Sequence, residues 1–264
     1  MTAQLDRIIL FPIKSFDGVE VVSATVLPSG ALQHDREFAI IDADQKIVNA
    51  KRTSKIQRLR SQFDLADRTI RIRQPQEQAT TFHLDDDRAR LANWLSDYFG
   101  FPVTLMQNTD TGFPDDLVSP GPTIISTASL ETVSQWYPGT TAAEMRRRFR
   151  CNLELTGVPA FWEDQLFGDA EQPKPFTIGS VQFHGINPCQ RCIVPTRDAQ
   201  SAAPTERFQP IFQQQRAVTL PATVNRDRFN HFYRLAVNTK IPASEANKQL
   251  HQQESCIILK SNSH

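Results

Sequence analysis

The 264-residue chain lacks a charge excess of either sign: 29 basic residues stand against 29 acidic ones. Binding to nucleic acid or a membrane surface through general electrostatics would need a basic surplus, so both partners are disfavoured. No apolar run approaches the roughly 18 residues of a membrane-spanning helix. The first seven residues mix acid and base (Asp6, Arg7) and lead into a strand-like run, unlike a secretory signal. Cysteine is scarce, with four residues, too few for a disulfide framework at this length. There is no ferredoxin-type cysteine spacing, no C-x-x-C-H for haem and no G-x-G-x-x-G for a flavin or nicotinamide. These absences point to a cytoplasmic protein without a redox relay of its own.

Two of the four cysteines lie together in Asn187-Pro188-Cys189-Gln190-Arg191-Cys192. Pro188 fixes φ and removes a backbone donor, so the segment reads as a stiff turn. A thiolate is the form of cysteine that ligates metals, and the guanidinium of Arg191 favours it. A zinc knuckle needs about four ligands, yet there is no second C-x-x-C. A thioredoxin-like pair leads into a helix, which Pro195 opposes. Two readings remain: a pair of packing cysteines, or one thiolate on a soft metal whose anionic cofactor Arg191 helps to hold.

The first hundred residues read as mostly β. Leu5 to Pro12 and Val19 to Leu27 are apolar and β-branched, Phe38 to Val48 looks like a hairpin, and Thr69 to Arg73 alternates with period two. Asp86 to Phe99 reads as a helix, with Leu91, Trp94, Leu95 and Tyr98 at helical spacing and Gly100 as C-terminal cap. Asn108 to Pro122, with three prolines, two glycines and three aspartates, reads as a domain connection or a loop over a site. Leu130, Val133 and Trp136 suggest a helix capped by Ser126 or Thr127. Thr141 to Glu144 fits a capping box opening a second helix that ends in Arg146-Arg147-Arg148. Asn152 to Thr156 and Phe176 to Phe183 read as β. Ala199 to Gln215 looks exposed and mobile, Ala243 to Leu250 helical, and Cys256 to Leu259 a last strand.

Basic residues recur at strand ends. Lys14-Ser15 before Gly18 puts an ammonium, a hydroxyl and free N–H groups in one turn, which suits an oxyanion and equally a solvated lysine. Arg36 opens an apolar strand and is either a surface charge or a ligand-facing one. If Phe149-Arg150-Cys151-Asn152 is extended, Arg150 and Asn152 share one face and Phe149 and Cys151 the other.

In combination these segments resemble a family. The series Pro12-Ile13-Lys14-Ser15, His34-Asp35-Arg36, Ile124 through Leu130, Phe149-Arg150-Cys151-Asn152 and Pro188-Cys189-Gln190-Arg191-Cys192, with Thr196 and Asp198, is similar to the MOSC-domain proteins. It looks most like the branch with an N-terminal MOSC β-barrel domain that includes the mitochondrial amidoxime reducing component. The resemblance covers nearly the whole chain, from about Leu5 to about Leu259. It implies a β-rich α+β fold: an N-terminal β-barrel-like domain over 1–107 and a MOSC β-barrel with short helices over 108–264.

The resemblance also implies a molybdenum cofactor, the metal being carried on a pterin. Cys192 would be the metal ligand and catalytic position. Lys14, Ser15, Arg36, Ser126, Thr127, Arg150, Asn152, Gln190 and Arg191 would hold the cofactor, and Cys189 would pack beside it. The implied activity is reduction of N-hydroxylated or N-oxide small molecules with electrons from a separate donor protein, for which the Arg146-Arg147-Arg148 run offers a docking charge. A non-catalytic cofactor carrier or sulfur-transfer module is the alternative. Pyridoxal phosphate is not expected, since no desulfurase-like segment precedes Leu5. Three departures stand out: Phe16 follows Lys-Ser, Thr196-Arg197-Asp198 replaces a Thr-Val-Asp-Pro run, and the C-terminal hairpin is blurred into Gln252 to Ser255.

Overall fold

The computed structural model describes residues 2–170 and 172–259. Its strands are β1 (Ala3–Leu10), β2 (Val19–Val21), β3 (Ser23–Thr25), β4 (Phe38–Asp42), β5 (Arg60–Asp64), β6 (Thr69–Arg73), β7 (Thr80–His83) and β8 (Val103–Gln107), then β9 (Ile124–Ser126), β10 (Leu153–Thr156), β11 (Lys174–Ile178), β12 (Val181–Gln190), β13 (Arg234–Lys240), β14 (Gln249–His251) and β15 (Ser255–Ile258). The α-helices are α1 (Lys55–Arg58), α2 (Arg88–Phe99), α3 (Thr127–Gln135), α4 (Ala142–Phe149) and α5 (Phe208–Thr219). The fold is α+β and rich in β, as the sequence implies.

A seven-stranded barrel closes in the order β1-β10-β9-β13-β12-β11-β15 and back to β1, with β2 added at the outer edge of β1. Closure leaves no free edge along the ring. Strand β1 comes from the N-terminus yet is the strand that shuts the barrel. It pairs antiparallel with β10, Leu5 facing Leu155 and Ile8 facing Leu153, and with β15 on its other side. Strands β9 and β10 are parallel, which requires a crossover, and α3 and α4 supply it. Leu5, Ile8, Ile124, Leu153, Phe176, Val181, Phe183 and Val237 fill the interior, each fully buried. Each such side chain contributes about 1.5–3 kcal/mol by burial.

The N-terminal part has its own core, in which Phe38, Ile40, Ile70, Ile72, Phe82, Leu91 and Leu95 meet. It is built from the β4–β8 pair, the β5-β6-β7 sheet and α2. Strand β6 carries Ile70 and Ile72 inward and Arg71 and Arg73 outward. Helix α2 ends on Gly100 at φ +82, where the left-handed cap suits glycine. The cores touch: Val194 belongs to the N-terminal cluster and Cys192 packs against it, so the chain after β12 lies where the two parts meet.

Four expectations need correction. The segment from Ala199 is not simply exposed, because it leads into α5, which buries Phe208, Phe212 and Arg216 at every fourth position. The Ala243 to Leu250 segment is not a helix. It forms a short 3-10 turn at Ala243–Glu245 and then β14, which pairs with β3. Pro188 does not make a turn: β12 runs through it to Gln190, and the register slips between Pro188 and Gln190, the irregularity that lets a strand hold proline. The Arg146-Arg147-Arg148 run is not an exposed patch either. Arg148 is buried on Glu144, Arg146 is paired with Glu154, and only Arg147 faces solvent.

Candidate functional site

Strand β1 ends at Leu10, and the next residue, Phe11, is buried with two arginines over its ring. The Arg150 guanidinium lies 4.2 Å from the ring centroid and that of Arg36 5.4 Å. Backbone geometry delivers both. Arg36 sits at φ +52 and its N–H donates to the Phe11 carbonyl at 2.8 Å, while Asp35 accepts from the Phe11 N–H at 2.9 Å. Arg150 is the left-handed cap of α4, at φ +53. It is therefore not part of an extended strand. The helix cap nevertheless parts the side chains as expected, with Phe149 and Cys151 in the core beneath and Arg150 and Asn152 on the other side.

Two like charges on one ring repel, and their counter-ions are few. Arg36 pairs with Asp35 and donates to the Asn152 amide oxygen at 3.3 Å, and Arg150 donates to the Phe16 carbonyl. Burial lowers the Arg150 pKa to about 10, and the charge of Arg36 adds to the effect. Asn152, fully buried, ties the group to β1 by donating to the Ile9 carbonyl at 3.0 Å.

Lys14 is buried beside them, and burial lowers its pKa. Its ammonium donates to the Phe113 carbonyl and pairs with Asp115, both at 2.7 Å. Both partners come from the Pro/Gly/Asp-rich segment, which therefore lies over Lys14 as a strap. Gly112 lets it approach, since a Cβ there would fall 2.5 Å from the Asp35 carbonyl oxygen. Asp115 also pairs with Lys51 at 3.3 Å while its side chain stays 61% exposed. Burial opposes its charge, but Lys14, with Lys51 and Arg36 behind it, holds the carboxyl well below the usual range. A carboxylate thus occupies the position that the lysine offers to an anion. Ser15, at φ +74, accepts from the Ala50 N–H at 3.3 Å.

The cysteine segment joins this group through the end of α4. Arg191 donates to the Phe149 carbonyl, one residue before Arg150, and its other arm donates to Cys189 Sγ at 3.1 Å. The guanidinium thus rests on the first cysteine of the pair. Burial opposes the Arg191 charge, but Cys189, Cys151 and Cys192 around it hold its pKa above the ordinary value. Cys151 is the reverse case, a buried thiol pushed up to about 12. Cys192 is half-buried against the N-terminal core, and Gln190 is exposed at the end of β12. Arg191 Nε and the Tyr233 hydroxyl are buried without a partner among the described residues. Each such orphan costs about 1–3 kcal/mol unless water or a ligand satisfies it.

Lys14, Arg36, Arg150 and Asn152 thus converge from widely separated stretches; Arg191 adjoins them at the end of α4, and Cys192 lies next to Arg191 against the N-terminal core. Ser126 and Thr127 are engaged elsewhere. The Ser126 hydroxyl is fully buried, capping α3 through the Ser129 N–H at 3.2 Å, and Thr127 donates to Glu154 at 2.8 Å. Beyond Phe11 and Arg150 opens a cavity of about 770 Å³, walled in part by Arg58, Arg60, Arg71 and Arg73 of the N-terminal part. None of these was singled out from sequence, because each reads there as an ordinary surface charge. Among the described residues no three His, Cys, Asp or Glu side chains are placed to hold a bare metal ion.

Comparison with known proteins agrees with this architecture. Residues 2–102 match the family model of the MOSC N-terminal beta barrel domain, and residues 123–241 match that of the MOSC domain. The chain belongs to the MOSC-domain proteins that carry this N-terminal domain. It is similar to the molybdenum cofactor sulfurase of Danio rerio, 24% identical over 249 residues, which is 76% of this chain and 29% of that protein. The Homo sapiens molybdenum cofactor sulfurase is 24% identical over 252 residues, 77% of this chain and 27% of that protein. The chain spans less than a third of the length of these relatives. The solved YUAD protein from Bacillus subtilis aligns over 97% of this chain and 94% of its own, at a TM-score of 0.38 and 8% identity, too remote to carry an argument.

Proposed function

We propose that this protein binds a molybdenum–pterin cofactor between its two parts and uses it to reduce N-oxygenated small molecules. The observation that carries the reading is the pair Arg36 and Arg150 on the Phe11 ring, with Lys14 beside them paired with the exposed carboxylate of Asp115. Such a group calls for an anion, and the phosphate of a pterin cofactor is one. The orphaned Arg191 Nε and the half-buried Cys192 fit the same ligand, since a soft metal takes a thiolate. A metal bound here would draw its other ligands from the cofactor, in keeping with the absence of a multi-residue metal cluster among the described residues.

In this reading Lys14, Arg36 and Arg150 hold the phosphate, Asn152 orients Arg36, and Cys192 supplies the protein's thiolate. Arg191 spans the first cysteine and the end of α4 and so fixes the approach of the segment that carries Cys192. Bound, the group supplies the two-electron oxygen-transfer chemistry. The electrons come from a separate protein. The test is reduction of a benzamidoxime by cofactor-loaded protein with reduced viologen. The reading requires turnover that is absent with a nicotinamide alone and absent in Cys192→Ser.

One observation favours a second reading, a carrier or sulfur-transfer module. Cys189 Sγ accepts from the Arg191 guanidinium at 3.1 Å, which fixes this sulfur in place beside a cation. Loaded protein that gives no turnover with viologen, but whose Cys189 takes the outer sulfur of a persulfide donor as that donor leaves as its thiol, would favour it.

A further inference from the structure

Seven arginines and only two carboxylates line the 770 Å³ cavity. Two parts of the molecule build it. Strands β5 and β6 contribute Arg60, Arg71 and Arg73, and α4 and its cap contribute Arg147 and Arg150. Some of this charge is answered, since Arg60 pairs with Asp17 at 3.1 Å and Arg146 with Glu154. Arg58, Arg71, Arg73 and Arg147 have no ion-pair partner among the described residues. Single exposed arginines are ordinary. These are not single: Arg60 and Arg73 are directly opposed across β5 and β6, and Gln62 opposes Arg71 on the same face. Like charges facing one another across a strand pair destabilise a sheet. In a concave space the repulsion is larger than on a convex surface, because low-dielectric walls focus the field.

The volume lies in the range of small-molecule sites, about 300–1,000 Å³. The wall is guanidinium, which binds phosphate oxygens in a bidentate fork. One phosphate would use only the Arg150 end. The Arg71 and Arg73 face belongs to the N-terminal part and the Arg147 and Arg150 face to α4 and its cap, so a ligand with several linked phosphates can meet both.

We propose that this cleft is a second binding site, for a small ligand bearing two or more linked phosphates, such as the phosphate chain of a nucleotide. It adjoins the proposed cofactor group, whose Phe11 and Arg150 also line the cleft, but its own recognition residues stand apart from that group and it needs neither cysteine. Arg71, Arg73 and Arg147 are its recognition residues. Nucleic acid fits less well, because the cleft is closed on two sides by the two parts of the chain and the protein carries no net charge.

The test is calorimetric titration of the purified chain, its molybdenum content measured separately, with tripolyphosphate, ATP and orthophosphate. Tripolyphosphate and ATP should each bind once per chain, more weakly as salt is added. Orthophosphate should bind at least about tenfold more weakly. Arg71→Ala with Arg73→Ala should weaken tripolyphosphate binding at least about tenfold without lowering the melting temperature, because both side chains are exposed and Arg73 faces the like charge of Arg60. Arg147→Ala, on the opposite wall, should weaken it as well. Equal binding of orthophosphate and tripolyphosphate would overturn the proposal. So would unchanged binding in both variants, or tighter capture of a short single-stranded RNA than of tripolyphosphate.

Discussion

Arg216 and Arg150 are both arginines against aromatic rings, and they do opposite things. Arg216 is 1% exposed, lies between Phe161 at 4.5 Å and Phe229 at 5.1 Å, and is paired with the buried Asp164. Its charge is answered inside the fold. Arg150 also lies on a ring, but the other group on that ring is Arg36, another cation, and the direct partner of Arg150 is a carbonyl. Its charge is unanswered. The first arrangement holds the barrel to α5. The second is strained in isolation, and in the proposed reading an anion relaxes it, as at a site rather than in a scaffold.

The comparison breaks most visibly at Arg216. Arg216→Ala should destabilise the protein by about 3–5 kcal/mol, because it leaves Asp164 charged and buried. Urea denaturation checks this. Arg150→Ala should cost little stability in the same experiment while lowering the cofactor content of the purified protein at least about tenfold. If the two variants unfold alike, the distinction between answered and unanswered charge is wrong.

The carboxyl beside Asp164 sharpens it. Glu163 is fully buried, neither of its oxygens has a partner among the described residues, and burial, with Asp164 next to it, raises its pKa. The folded state therefore keeps a proton that the unfolded state loses above the ordinary carboxylate range. Stability should fall as pH rises from that range toward the raised value. Glu163→Gln should remove this slope and be more stable than the parent at pH above neutrality, by on the order of 2 kcal/mol. Thermal unfolding across pH measures it, and parallel curves for the two proteins would contradict it.

The smallest effect is expected at the strap. Asp115 is 61% exposed, so its ion pairs contribute under about 1 kcal/mol. Asp115→Asn should leave the melting temperature nearly unchanged yet raise cofactor loading, since it removes the carboxylate that competes for Lys14. Reduced loading would show that Asp115 helps to bind rather than competes.

How much of this was legible beforehand follows from what each residue shows locally. The alternation of Ile70 and Ile72 with Arg71 and Arg73 is local, and it marks β6 correctly. So do the helical spacing of α2 and its glycine cap. Helix α5 was missed although Phe208, Phe212 and Arg216 stand every fourth residue, because glutamines fill the turns between and one of the buried positions is an arginine. Burial of an arginine depends on Asp164, distant in sequence. The closure of the barrel by β1 is likewise a long-range pairing that no local pattern carries. At the site, motif resemblance reached Lys14, Arg36, Arg150 and Cys192. The wall of Arg58, Arg60, Arg71 and Arg73 escaped, because an outward arginine on a half-buried strand looks solvated until the fold sets α4 opposite it. In the Arg146 to Arg148 run the same limit worked the other way, since three like residues have three different surroundings.

The central claim is that Cys192 and the Phe11 group together hold a molybdenum cofactor. It is tested most directly by measuring molybdenum and pterin in protein purified from a cofactor-producing host, for the parent, Cys189→Ser and Cys192→Ser. The parent should carry close to one molybdenum per chain, Cys189→Ser should keep most of it, and Cys192→Ser should lose it while remaining folded. Molybdenum absent from the parent, or lost from Cys189→Ser and retained by Cys192→Ser, would contradict the account.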